Sequence, residues 1–172
     1  MSSKRADFPE FIEWLGLSRE EADPDFDSFG LRRYASHGQF ADFPEIEVAV
    51  DGSFQLRFFA HGLRYLHEVS RGRAAQLSAG EKLQVMIEVN NPATRLAVTL
   101  HTEDYVMVGW APRYLVEDLV TCIPQAPKIE ASVVKVNLSH APLNQSLLVE
   151  YAGKAPEDHE LMSSPDFTPL IG

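Results

Sequence analysis

A chain of 172 residues with 45% hydrophobic content buries one sizeable core and hardly two, so a single main domain is expected. Its formal charge of −10 argues against wrapping long duplex, because such binding is driven by many Lys and Arg neutralising phosphates. Cys122 is the only cysteine, which excludes an intramolecular disulfide and a cysteine-based zinc site and leaves a buried, inert thiol as the expectation.

The N-terminus, Met1-Ser2-Ser3-Lys4-Arg5-Ala6-Asp7, runs into acids rather than an apolar signal core. No stretch approaches the roughly 20 apolar residues of a membrane span, so a cytoplasmic protein without membrane contact is expected. Asp7-Phe8-Pro9-Glu10 has the form of a capped helix start, with Phe8, Phe11, Ile12 and Leu15 on one face and Gly16 placed to end it. Ser18-Arg19-Glu20-Glu21 repeats the capping pattern before Asp23-Pro24-Asp25 breaks it. Residues 1–44 therefore read as a helical, partly irregular lead-in.

From Glu45 the hydrophobic period becomes two. Ile46, Val48 and Val50 alternate with polar or small residues, Asp51-Gly52 supplies a tight turn, and Phe54, Leu56 and Phe58 alternate again, which predicts a hairpin. A third run, Lys82 to Val89, sets Leu83, Val85 and Ile87 on one face with Met86 and Val89 assigned to the other, which predicts cover on both faces. Asn90-Asn91-Pro92 ends it, since proline cannot donate to a ladder. Leu96–Leu100 and Tyr105–Val108 form a second predicted hairpin around Thr102-Glu103-Asp104. Leu115, Val116, Leu119, Val120 and Ile123 give a helix face, with Pro112 at its start and Pro124 beyond its end. Ile129–Leu138 and Leu147–Tyr151 supply two last strands, and residues 156–172 form a Pro-, acid- and Ser-containing tail with little to pack against. The fold class expected is mainly β with helical decoration: a small OB-like barrel of six or seven strands over residues 45–155, with one inserted helix.

Two separated stretches carry the functional reading. The first is Phe58-Phe59-Ala60-His61-Gly62-Leu63-Arg64-Tyr65 and the second is Val108-Gly109-Trp110-Ala111-Pro112-Arg113. Between them lie Leu77-Ser78-Ala79-Gly80-Glu81-Lys82-Leu83, then Glu88-Val89-Asn90-Asn91-Pro92, then Leu96-Ala97-Val98. In that order and spacing the blocks resemble the HIRAN domain family, over residues 54–151. The resemblance implies an OB-like barrel that stands alone or accompanies helicases and nucleases, and a pocket for the 3′-terminal nucleotides of single-stranded DNA. By the same resemblance Arg64 and Tyr65 match the pair lining that pocket, the guanidinium for phosphate or a base edge and the ring for stacking. Trp110 takes the place of the family's ring before the helix, and Arg113 stands in the first helical turn, where charge and backbone N–H groups meet a phosphate together. Asn91 belongs to the family's Asn-Pro motif. That motif continues to an acid which accepts from the terminal 3′-hydroxyl; Thr94 stands there instead, and Ala93 replaces an aromatic.

The charge pattern permits this reading. Residues 54–120 carry 7 basic and 7 acidic side chains, against 5 and 12 in residues 1–53 and 3 and 6 in residues 121–172. Each residue also has a plainer explanation: Arg64-Tyr65 as a strand-end pair, Trp110 as a core ring, Arg113 as a surface partner of Glu117. Phe54, Phe58 and Phe59 read as core rather than as a stacking platform. The spacing of His61, His67 and Glu68 suits no metal, and no cofactor is implied. Asn137 and Ser139-His140 lack a nucleophile elbow, and no phosphate-binding Gly-Lys-Ser/Thr loop exists, so a non-enzymatic module is expected. The expected function is an accessory to DNA-processing machinery that binds single-stranded DNA ends, with a helicase or nuclease as protein partner. The alternative is a protein-interaction or regulatory module on the same scaffold with weakened or lost DNA binding, which the charge of −10 and Thr94 favour.

Overall fold

The computed structural model describes residues 45–125, 128–137 and 141–161, together with residues 10, 13, 14 and 163. The chain is mainly β. Strands β1 (Glu45–Val48), β2 (Ser53–Phe59), β3 (Lys82–Asn91), β4 (Arg95–His101), β5 (Met107–Trp110), β6 (Glu130–Val136) and β7 (Leu147–Lys154) form an antiparallel sheet in the order β1-β2-β7-β6-β3-β4-β5. Helix α1 (Glu68–Ala75) follows a 3-10 turn at Leu63–Tyr65, and α2 (Val116–Cys122) continues a 3-10 turn at Arg113–Leu115.

The period-two pattern predicted for β2 holds: Phe54, Leu56 and Phe58 are buried and Gln55 is exposed, so one face of the strand belongs to the core. The Asp51-Gly52 turn also holds. Gly52 takes φ +81°, its N–H donates to Ala49 O at 3.0 Å, and the Asp51 carboxylate accepts from the backbone N–H of Ser53. Phe59 is buried with Phe54 and Phe58, so all three rings are core. Phe58 meets Tyr151 edge to face, with centroids 4.7 Å apart. Of the predicted helix face, Leu115, Val116 and Leu119 are buried and Val120 and Ile123 are partly buried against the core, and Cys122 is buried beside them.

Four expectations about the strands and helices are corrected. The sheet is not closed into a barrel: β3 leaves the β6 ladder after two residue pairs, Lys82↔Ser132 and Leu83↔Ala131. A single bridge, His61↔Trp110, ties the chain after β2 to β5, with N···O distances of 2.8 and 3.1 Å. Within residues 45–154 the described residues form a second helix besides the inserted one expected, because α1 shows no apolar stripe; Ala74 is its only buried residue. Cover on both faces of β3 does not extend to its far end, where Met86, Ile87 and Val89 are 42%, 38% and 67% exposed. β5 starts at Met107 rather than Tyr105, since Tyr105 takes φ +61° in a turn pinned by the N–H of Val106 donating to Thr102 Oγ1.

The tail, expected to have little to pack with, returns to the core as far as Leu161, and His159 Nε2 meets Asp118 Oδ1 at 2.8 Å. Glu10, Glu13 and Trp14 are helical, and Asn137 Nδ2 donates to both Trp14 O (3.0 Å) and Gln145 O (2.8 Å). Phe8, Phe11, Ile12 and Leu15 lie outside the described residues, as do Ser139 and His140. Among the described residues no helix is long and apolar enough to cross a membrane.

Candidate nucleic-acid interface

Trp110 ends β5, directly opposite Thr99 of β4, which is itself opposite Met86 of β3. Directly opposed residues of an antiparallel sheet share a face. Glu88, two residues beyond Met86 and opposite Ala97, is on that face too. The indole spans β4 to reach it: Trp110 Nε1 donates to Glu88 Oε2 at 3.0 Å. The same oxygen accepts from Asn91 Nδ2 at 2.9 Å, so one carboxylate ties β5 to the end of β3.

The other end of the ring lies against Gly62, where a Cβ would stand 2.3 Å from Trp110 Cε3. Gly62 takes φ +75° and opens the 3-10 turn that carries Arg64 and Tyr65, the N–H of Tyr65 donating to Gly62 O at 2.8 Å. A side-chain-free, left-handed residue is what lets this turn approach the indole. Both turn residues are exposed, Tyr65 at 70%, and the Arg64 guanidinium sits 4.6 Å from the Tyr65 centroid. Tyr65 is therefore not a core filler at a strand end, and Trp110 is half-buried rather than sealed.

Asn91 organises the β3–β4 turn. Its Oδ1 accepts from the backbone N–H groups of Ala93 and Thr94, at 3.0 and 3.1 Å. Thr94 Oγ1 lies 2.9 Å from Leu96 O and 3.1 Å from Asn91 Oδ1, and its one proton serves that turn. Thr94 is a turn-closing residue in this arrangement. Arg113 is exposed three residues beyond Trp110; among the described residues it makes no ion pair with Glu117 and no hydrogen bond to the Glu88–Trp110 network. The structure thus pairs Arg64 with Tyr65, sets Gly62 of the same turn against Trp110, and links Trp110 through Glu88 to Asn91, which closes its turn with Thr94; Arg113 takes no part in these contacts among the described residues.

No family model matches this chain, and no curated protein does. A crystal structure of a protein from Lactobacillus plantarum, a structural-genomics target, is similar at 19% identity, covering 62% of this chain and 93% of that one with a TM-score of 0.47. At that level the likeness carries no functional argument.

Sequence reasoning missed Glu88 as a site residue. It stood inside a quoted block, but its link to Trp110 depends on two strand registers and not on spacing along the chain. Among the described residues no Lys or Arg pairs with Glu88, and its Oε1 takes no hydrogen bond. The candidate site therefore has the basic, aromatic pair Arg64-Tyr65 following Gly62 at one end of the indole and the acidic Glu88 at the other. No group of three or more His, Cys, Asp or Glu among the described residues is placed to hold a metal ion. A separate groove of about 500 Å³ is lined by Val48, Phe54, Gln55, Lys128, Glu130 and Gly153, and none of the site residues borders it.

Proposed function

We propose that this chain is a HIRAN-like, non-enzymatic module that takes the 3′-terminal nucleotides of single-stranded DNA at the surface around Trp110. The observation that carries the reading is convergence: Gly62 packs on one end of a half-buried indole from a distant block, and Glu88 takes the indole N–H at the other and holds Asn91 by the same oxygen. An exposed tyrosine stacked by an arginine offers a base a π-face and its phosphate a cation. Arg113 extends the cationic side toward the next phosphate. The OB-like relationship of the fold belongs to the same proposal: β5 comes back to the end of β2 at the His61–Trp110 bridge, and the ligand surface lies at that return. The module serves a helicase or nuclease in the cytoplasm, which supplies the chemistry.

Fluorescence anisotropy with short 5′-labelled oligonucleotides, carrying a free or a phosphorylated 3′ end, tests this at low salt, where phosphate contacts are strongest. Binding in the micromolar range that weakens about tenfold in Tyr65→Ala and in Arg64→Ala is the expected result. No binding of either strand below about millimolar sinks the reading.

A second reading, a protein-interaction module, draws on one feature: beyond Leu83 the β6-facing edge of β3 has no strand partner among the described residues, and Met86, Ile87 and Val89 are exposed there. It predicts a partner whose capture is insensitive to nuclease, and loss of that partner on nuclease treatment counts against it.

A further inference from the structure

We infer that Glu88 sets a base preference at this site, favouring a terminal nucleobase that presents an exocyclic amino group over one that presents a carbonyl at the same edge. The inference rests on the nucleic-acid reading above and adds to it a specificity-determining residue. A carboxylate offers about four lone-pair positions on two oxygens. Here both protein donors, Trp110 Nε1 and Asn91 Nδ2, go to Oε2, which leaves Oε1 without a partner among the described residues. Glu88 is half-buried, and among those residues no Lys or Arg pairs with it. Such an oxygen gains most from a hydrogen-bond donor and loses most beside another acceptor.

The bonds to Oε2 also fix where that oxygen is. The carboxylate is held at the N–H edge of the indole, while the far edge of the ring lies over Gly62, next to Arg64 and Tyr65. A nucleotide whose phosphate turns toward Arg64 and whose base stacks on the indole directs the outer edge of that base toward Glu88. Cytosine presents an amino group there, and thymine, of nearly the same shape, presents a carbonyl. Cytosine donates to Oε1; thymine places two acceptors against each other and strips water from both. A site built around a hydrogen-bond partner rejects the analogue lacking it.

The experiment compares two 5′-labelled single strands of identical sequence except for the last nucleotide, dC or dT, binding to the full chain at low salt. The dC-ended strand is expected to bind about tenfold tighter. A third strand ending in N4,N4-dimethyl-deoxycytidine, which keeps the ring and removes both donors, is expected to bind like the dT-ended one. Glu88→Gln, whose amide can donate as well as accept, is expected to bring the dC:dT ratio close to one while its carbonyl still accepts from Trp110, which an unshifted tryptophan emission maximum reports. Equal affinity of the unmodified chain for dC and dT ends overturns the inference and leaves the nucleic-acid reading standing. A dimethylated strand that binds like dC, or a ratio that persists in Glu88→Gln, overturns it as well. Failure of the unmodified chain to bind any of the three strands overturns the nucleic-acid reading itself.

Discussion

Gly62 and Trp110 compete for one volume: a Cβ on Gly62 would stand 2.3 Å from Cε3 of the indole, at a backbone φ of +75° that L-residues rarely adopt. Gly62→Ala therefore meets strain and overlap together, and the loss expected in urea denaturation is about 1–3 kcal/mol. Because the indole must shift to admit the methyl, tryptophan emission moves and oligonucleotide affinity falls with stability. A variant as stable as the parent, with unmoved emission, would show that the turn and the ring are not in register.

Tyr151 buries its hydroxyl in the core with no hydrogen-bond partner among the described residues, and burial holds the phenol neutral well above its ordinary range. An unmade hydrogen bond of this kind costs about 1–3 kcal/mol of desolvation, so removing the oxygen relieves a penalty. Tyr151→Phe, which retains the edge-to-face contact with Phe58, is expected to be neutral or stabilising by about 1 kcal/mol. A clear loss of stability in the denaturation midpoint would contradict this.

Cys122 titrates against the fold at high pH. Burial first, and the nearby Asp118 carboxylate second, push its thiol from 9.0 up to about 11. Because the folded state holds the proton more tightly than the unfolded chain, this contribution is complete below pH 9.0 and is lost as pH rises to about 11. The urea midpoint of the parent is expected to fall more steeply across that window than that of Cys122→Val, which has no proton to release. At neutral pH the native thiol reacts with a thiol reagent only as fast as the fold opens.

Glu81 shows the opposite sign. Its carboxyl is held below its ordinary value chiefly by the hydrogen bond from the Arg73 guanidinium, which links α1 to the start of β3. The stability tied to this depressed value is present above the ordinary 4.5 and is lost as pH falls through the lower folded value. Arg73→Gln is expected to flatten the acid limb of the stability curve below about pH 4.5, with little effect on its slope near neutrality. Equal acid slopes in parent and variant would remove the pair from the account.

Much of the sheet was legible in the sequence because its strands obey simple rules. Phe54, Leu56 and Phe58 alternate, Asp51-Gly52 turns, and Pro112 with Pro124 bracket α2. Helix α1 was not legible, since Glu68–Ala75 contains Gly72, exposes Val69 and buries only Ala74; it is held by what flanks it, with Leu66 and Leu77 in the core and Arg73 tied to Glu81. Of the residues proposed for the site, Arg64, Tyr65, Trp110 and Arg113 are singled out by type; the first two and Arg113 are exposed and Trp110 is half-buried. Glu88 was not, because its partner is 22 residues away in sequence and becomes a neighbour only through the paired registers of β3, β4 and β5. Thr94 was readable as a hydroxyl and not as the lock of its own turn.

The short ladder between β3 and β6 has a mechanical consequence. Strands β1, β2, β7 and β6 form one leaf and β3, β4 and β5 another, sewn together among the described residues at two stitches: residues 80–83 against residues 131–133, and the His61–Trp110 bridge. Arg64 and Tyr65 hang from the first leaf, Glu88 and Asn91 from the second, and Trp110 lies under the second stitch. A ligand of the proposed kind, touching residues of both leaves, would act as a clasp across a book spine and stiffen the covers against each other.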